Sequence, residues 1–301
     1  MKIAFTSCMR YESYNIQPGW KHINDSDPDY LFLLGDHIYM DWVPHLGAPK
    51  DYSLVQFKNE MKSKYENQWN EPHFKALIEK MVNKNGLFGT WDDHDFAWNN
   101  ANGAEMTTNR EKLKKEFSRT MFHEYFHNCS TNLPEVYYAI DTPHARVIFL
   151  DNRYYAESPG KNKKLLGTKQ FNYLYDKLNH NLKYTIVCGG LTLTEMTENW
   201  KNYSNELQYL SEMLSEKENV LFLAGDIHKN AFVKPKKLKN GIKTPPQIIS
   251  SGKAIKLFGE RHNWAMLDFT NEGVKVQFYK NNALQESLTR ECNSWLKING
   301  Y

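Results

Sequence analysis

Five short apolar runs in this chain stop abruptly at polar side chains, and that repetition limits the folds open to it. Leu31-Phe-Leu-Leu34 ends at Gly35 and delivers Asp36, His37 and Tyr39. The run closing at Thr90-Trp91 delivers Asp92, Asp93, His94 and Asp95, and Val147-Ile-Phe-Leu150 delivers Asp151, Asn152 and Arg153. Val220-Leu-Phe-Leu-Ala224 delivers Gly225, Asp226 and His228, and the opening strand delivers Ser7 and Cys8. Runs of this length suit buried strands and are short for helices. Gly35 permits a sharp turn, so Asp36 and Tyr39 can face one point from a single loop. One such ending reads equally well as an ordinary Gly-Asp turn. Five of them place polar groups where layered α/β sheets bind ligands, outside the strand ends.

Between these runs the pattern alternates. Strands are expected over 2–7, 30–34 and 87–91, and helices near 53–67, 73–83 and about 110–126. Pro72 marks a helix start, since a proline in the first turn loses no needed hydrogen bond. A hairpin of Val136–Ile140 and Arg146–Leu150 turns through Asp141-Thr-Pro-His144, followed by a helix at 168–179, a strand at 184–188, a helix at 205–217 and a strand at 220–224. From Gln247 to about Arg290 the short alternation and the turn Asn271-Glu-Gly273 read as antiparallel strands. The sum is an α/β layered fold built on a mixed sheet or two packed sheets. With no repeat or heptad visible, residues 1–301 read as a single domain with insertions.

Composition narrows the partners. No apolar run approaches the roughly 20 residues that span a bilayer, which argues against a membrane. A net charge of +3 is too small to imply nucleic acid by itself. The N-terminus enters a strand directly, without the features of a secretory signal, and cysteines 8, 129, 188 and 292 show no paired spacing. A cytoplasmic location is the expectation. The sequence does not set an oligomeric state.

Carboxylates crowded at one edge of a sheet resist ionisation together, and a cation removes that conflict. Carboxylate, imidazole, phenolate and thiolate are too soft a set for magnesium alone and too oxygen-rich for a structural zinc site. A two-metal site is indicated, with Cys8, Tyr39 and His228 on one centre, carboxylates on the other, and an aspartate between them. Such pairs, roughly 3.5–4 Å apart, acidify water and stabilise both oxygens of an in-line displacement. Asp92 reads as a helix cap or as an acceptor that orients a ligand histidine. Trp98 and Trp200 read equally as stacking on a base, a ring or a quaternary amine of the substrate or as wedges in the core. The lysines of Lys234–Lys243 read either as a solvated loop or as a means of steering anions. The remaining histidines, His37 and His45 among them, read as packing or surface residues.

Phe5-Thr-Ser-Cys8, Gly35-Asp-His-Ile-Tyr39, Trp91-Asp-Asp-His-Asp95, Leu150-Asp-Asn-Arg153, Gly225-Asp-Ile-His228 and Ser250-Ser-Gly252 occur in that order. They resemble the blocks of the PhoD-like alkaline phosphatases and phosphodiesterases, within the calcineurin-like metallophosphoesterase superfamily. The likeness runs from about residue 3 to about residue 270. It implies the layered metallophosphoesterase fold, two packed mixed β-sheets flanked by helices. It also implies hydrolysis of a small phosphoester, as phosphatase or phosphodiesterase, by a dinuclear centre and a metal-activated water.

Carried over by residue, the resemblance implies Fe3+ held by Cys8, Asp36, Tyr39 and His228. A second ion, Ca2+ or another divalent such as Mn2+, Zn2+ or Mg2+, would be held by Asp36, Asp93 and Asp226, with Asp36 shared. His94 would be the general acid and Arg153 would grip the phosphoryl oxygens, with Arg153 as a structural partner of Asp151 the alternative. The chain departs from the family at Ala97 and Asn100, where Phe-Gly-x-Asn-Asp is common, which leaves Asn99 as a further candidate at the second centre. A non-catalytic metal- or phosphate-binding module on the same fold and a nuclease are the competing functions.

Overall fold

In the computed structural model, which describes residues 1–41, 47–127, 132–256, 262–270, 273–281, 283–291 and 294–300, each of the five apolar runs is a strand. His45, Cys129, Cys292 and the start of the Asn271-Glu-Gly273 turn lie outside the described residues. In chain order the strands are β1 (Lys2–Thr6), β2 (Tyr30–Leu34), β3 (Leu87–Thr90), β4 (Tyr138–Asp141), β5 (Ala145–Phe149), β6 (Tyr184–Gly189) and β7 (Val220–Ala224). They continue with β8 (Ala231–Val233), β9 (Gln247–Ile249), β10 (Trp264–Phe269), β11 (Val274–Lys280), β12 (Ala283–Glu291) and β13 (Ser294–Gly300).

These strands form two mixed sheets. The seven-stranded sheet has the order β13-β12-β11-β10-β1-β2-β3, with β1, β2 and β3 parallel and the others antiparallel. The six-stranded sheet has the order β4-β5-β6-β7-β9-β8, with β5, β6, β7 and β9 parallel. The parallel strands are buried on both faces, which is why they read as continuous apolar runs. One reading is corrected in part: Gln247–Ile249, expected among the antiparallel strands, pairs antiparallel with β8 but parallel with β7. It is buried throughout, so its faces carry no polar alternation from which to read its direction.

The helices are α1 (Trp20–Asp25), α2 (Leu54–Trp69), α3 (Pro72–Asn83), α4 (Asp93–Phe96), α5 (Asn109–Tyr125), α6 (Gly167–Lys177) and α7 (Ser204–Ser215). Their starts have local causes. Ser53 and Gln56 form a capping box on α2, Thr108 and Glu111 one on α5, and Glu71 accepts from Phe74 N–H at 2.7 Å ahead of Pro72. Phe57, Met61, Phe74, Leu77 and Phe122 from the first helices join the core of the seven-stranded sheet. Leu174, Leu207, Leu210 and Leu214 from α6 and α7 pack with Leu150, Val187 and Phe222 of the other sheet. Between the sheets, Phe149 meets Phe32 edge-on at 5.0 Å and stacks on Tyr138 at 4.8 Å. Thr90 Oγ1 donates to Leu150 O at 2.6 Å, so the two sheets are pinned where their parallel strands end.

Candidate metal centre

All five polar endings meet at that pinned edge. Gly35 has φ +86°, and a Cβ on it would lie 2.5 Å from Asp92 Cβ. A Cβ on Gly225 would lie 2.5 Å from Ser7 Oγ. Glycine at these positions lets the loops after β2 and β3, and after β1 and β7, touch. The residues they deliver are themselves in the left-handed region: Cys8 at φ 57°, Asp36 at 54°, Asp226 at 67° and His228 at 50°. Such conformations cost about 1–3 kcal/mol each outside glycine and persist where the surroundings fix them. Cys8 N–H donates to Gly35 O at 3.2 Å, Met9 N–H to Asp36 O at 2.9 Å, and His228 N–H to Ser251 Oγ at 3.0 Å.

Cys8, Asp36, Tyr39 and His228 form one group. The Cys8 thiol and the Tyr39 hydroxyl both donate to Asp36 Oδ2, at 3.1 and 3.2 Å, and the Tyr39 hydroxyl lies 3.2 Å from His228 Nε2. Ser251 Oγ donates to Cys8 Sγ at 3.1 Å. Burial raises the thiol well above its usual range, and the charges of Asp36 and Asp226 add to the shift. Burial raises Tyr39 in the same way, with Asp36 and Cys8 contributing. Asp36 is raised by burial too, with His94 opposing and Asp93, Asp95 and Asp226 adding. Positive charge among these groups would ease their shared resistance to ionisation.

The carboxylate side has two overlapping groups. Ligand atoms of Asp36, Asp93 and His94 lie within 4.8 Å of one another, as do those of Asp36, Asp92 and Asp226. Asp36 belongs to both, as a shared ligand must. The resemblance put Asp93 and Asp226 together at the second centre, with Asp92 outside it. Asp92 joins Asp36 and Asp226 in one of these groups; its Oδ2 is buried without a hydrogen-bond partner, while its Oδ1 accepts from Arg153, and Asp93 also acts on Asp226. Burial pushes Asp93 up, but Arg153, His94 and the N–H groups of Asn100 and His94 outweigh it and hold Asp93 below the ordinary carboxylate range. Burial, followed by Asp93 and Glu198, pushes Asp226 up to about 7.

His94 packs its ring against Tyr39 at 4.1 Å, and its Nδ1 lies 2.8 Å from Asp41 Oδ1. Burial lowers its pKa, but Asp93, Asp36 and the hydrogen bond that the ring donates to Asp41 prevail and hold it up at about 10. Arg153 does not reach Asp151 with its guanidinium. Only its backbone N–H does, at 2.9 Å, and the side chain instead spans Asp92 and Glu198 at 2.5 and 2.6 Å. Asp151 is an organiser, accepting from Trp91 Nε1 at 2.7 Å and from Tyr154 N–H at 2.9 Å.

Asn99 is exposed, and the chain meets Asp93 there through the Asn100 N–H at 2.6 Å. Trp200 is corrected: it is fully buried among the core residues under α7, so it has no face on which a substrate can stack. Trp98 is half-buried against the other core. In the lysine-rich segment, Lys236 pairs with Glu195, on the loop that also carries Glu198. Sequence reasoning missed Asp41 and Glu198 and gave Asp95 no role of its own. Asp41 follows the Tyr39 block by two residues with no spacing rule to mark it, Glu198 stands in no block at all, and the capping-box spacing from Asp92 is the signal that could have assigned Asp95.

The PhoD-like phosphatase family matches residues 3–249. The solved structure of PhoD is similar to this chain with a TM-score of 0.73 and 16% identity, covering 100% of this chain and 72% of the other. A dimetal phosphatase from Danio rerio is similar with a TM-score of 0.56 and 12% identity, covering 97% of this chain and 98% of the other. At these identities the likeness is one of fold. Among curated protein sequences nothing matches the chain.

Proposed function

This chain belongs to the PhoD-like phosphatase family, and from that premise we propose that it is a metal-dependent hydrolase of small phosphoesters. The observation that carries the reading is a pair of buried carboxylate oxygens without hydrogen-bond partners, Asp36 Oδ1 and Asp92 Oδ2, in overlapping groups of ligand atoms. Unpaired buried carboxylate oxygens are costly, and a cation is the partner that this donor set fits. Cys8, Asp36, Tyr39 and His228 suit an iron-type ion, and Asp36, Asp92, Asp93 and Asp226 suit calcium or another oxygen-seeking divalent ion. When bound, such ions lower the pKa of water and polarise a phosphoryl oxygen.

The chain's own residues do the rest. Arg153 turns its buried Nη2 toward Asp93 and offers one N–H to a phosphoryl oxygen. His94 is held at Nδ1 by Asp41, which leaves Nε2 to give a proton to the leaving oxygen. Asp41 keeps that ring oriented and charged, while the Tyr39 ring backs it. The test is release of p-nitrophenol from p-nitrophenyl phosphate and from bis(p-nitrophenyl) phosphate, before chelation, after it, and after adding back iron and calcium. Hydrolysis lost to the chelator and restored by metal is expected. Metal-loaded protein that cleaves neither ester would overturn the reading.

A further inference from the structure

Arg153 commits most of its hydrogen-bonding edge inside the protein. Nε donates to Asp92 Oδ1 at 2.5 Å and Nη1 to Glu198 Oε1 at 2.6 Å, while Nη2 is buried without a partner, 3.9 Å from Asp93 Oδ1. A guanidinium that grips a phosphoryl group by its fork needs two adjacent N–H groups free. Here one nitrogen remains. The two carboxylates that occupy the others differ in position: the Asp92 side chain is 0% exposed and that of Glu198 is 28% exposed. Glu198 is therefore the partner nearer solvent.

The loop carrying Glu198 is held in place. Thr192 Oγ1 donates to Glu195 O at 2.7 Å, and Asn199 Nδ2 donates to Met196 O at 2.5 Å. Met196 lies at φ 62° with its side chain 63% exposed, a strained conformation with no burial of its own to offset it.

We propose that Glu198 selects substrates by charge, so that the centre takes monoanionic phosphodiesters in preference to dianionic monoesters. This rests on the reading of the site as a phosphoester hydrolase. A diester has two non-ester oxygens, one for the cations and one for Arg153 Nη2. The third oxygen of a monoester adds a second negative charge near the Glu198 carboxylate. A fixed charge beside the phosphoryl group also repels a dianion about twice as strongly as a monoanion, worth on the order of tenfold in relative preference at this depth.

The experiment compares wild type, Glu198→Gln and Glu198→Asp, all metal-loaded, on p-nitrophenyl phosphate and bis(p-nitrophenyl) phosphate. In Glu198→Gln the monoester-to-diester ratio of kcat/KM should rise about tenfold, and Glu198→Asp, which keeps the charge, should stay near wild type. Calorimetry with inorganic phosphate and dimethyl phosphate should show the same change in affinity ratio without any turnover. Wild type that cleaves neither ester would defeat the hydrolase reading, and the two affinities would still decide the role of Glu198. A Glu198→Gln protein that loses both activities, or both affinities, in equal proportion would show that Glu198 only props Arg153, and the proposal would fall.

Discussion

His94 and His37 each approach an aspartate through Nδ1, Asp41 at 2.8 Å and Asp95 at 2.6 Å. His37 and Asp95 are 0% exposed, with the imidazole 4.8 Å from the Phe126 ring and edge-on to Trp69. Asp95 also accepts from His37 N–H at 3.2 Å and from Asp92 N–H at 2.7 Å, so this pair staples the loop after β2 to the start of α4. The His94 pair lies at the mouth, 16% and 25% exposed, with its ring beside Tyr39 and within ligand distance of Asp36 and Asp93. What separates the two is the company of the other ring nitrogen. Hydrocarbon around one histidine suits it to fastening, and carboxylates and open space around the other suit it to the proton donation proposed above.

The comparison breaks first at His94. His94→Ala should lower turnover on p-nitrophenyl esters by about 10²–10⁴-fold, with metal content and Tm close to wild type, as measured by kinetics beside elemental analysis. A variant that keeps its turnover would remove the distinction. His37→Ala should do the reverse, costing about 2–4 kcal/mol in denaturant unfolding because it opens a cavity beside Phe126 and Trp69, while turnover per folded molecule changes little. If stability held and turnover collapsed, the staple would belong to the chemistry.

Asp41→Asn sharpens the contrast at a smaller scale. Turnover should fall about 10–100-fold, a range typical for loss of an orienting partner. Loss of this carboxylate lowers the His94 pKa from its raised position, so the alkaline limb of the rate profile should move to lower pH. An unmoved limb would show that Asp41 has no hold on that proton.

Lys253 supplies the control with no partner charge. Its ammonium is buried, donates to Gly19 O at 2.9 Å and sits over Trp20 at 5.3 Å. Burial lowers its pKa from 10.5 to about 7. The folded state therefore holds fewer protons than the unfolded chain between these values, so this residue's cost is fully present below about pH 7 and fades as pH rises toward 10.5. Wild type should gain about 1–3 kcal/mol over that window relative to Lys253→Met, as read from urea unfolding at each pH. The sign is opposite at His94, where a raised pKa of about 10 stabilises below its unfolded value and is lost as pH passes 10.

The strands that end at the cluster and most helix starts are legible in the chain alone, whereas β8 and β13 are not. Val220–Ala224 and Tyr30–Leu34 fall where the apolar runs place them, and Ser53, Glu71 and Thr108 mark their helices. These features depend on steric freedom at a glycine, on burial pattern and on caps, all of which act over a few neighbouring residues. Tertiary structure alone decided who answers whom. Asp41 reaches His94 across 53 positions, Glu198 reaches Arg153 across 45, and Gln247–Ile249 takes its direction from β7. It also turned Arg153 inward to Asp92, left Asp92 Oδ2 beside the cluster, and sealed Trp200 in the core. A charge or a ring finds its partner through the packing of elements far apart in the chain, and no local periodicity encodes that distance.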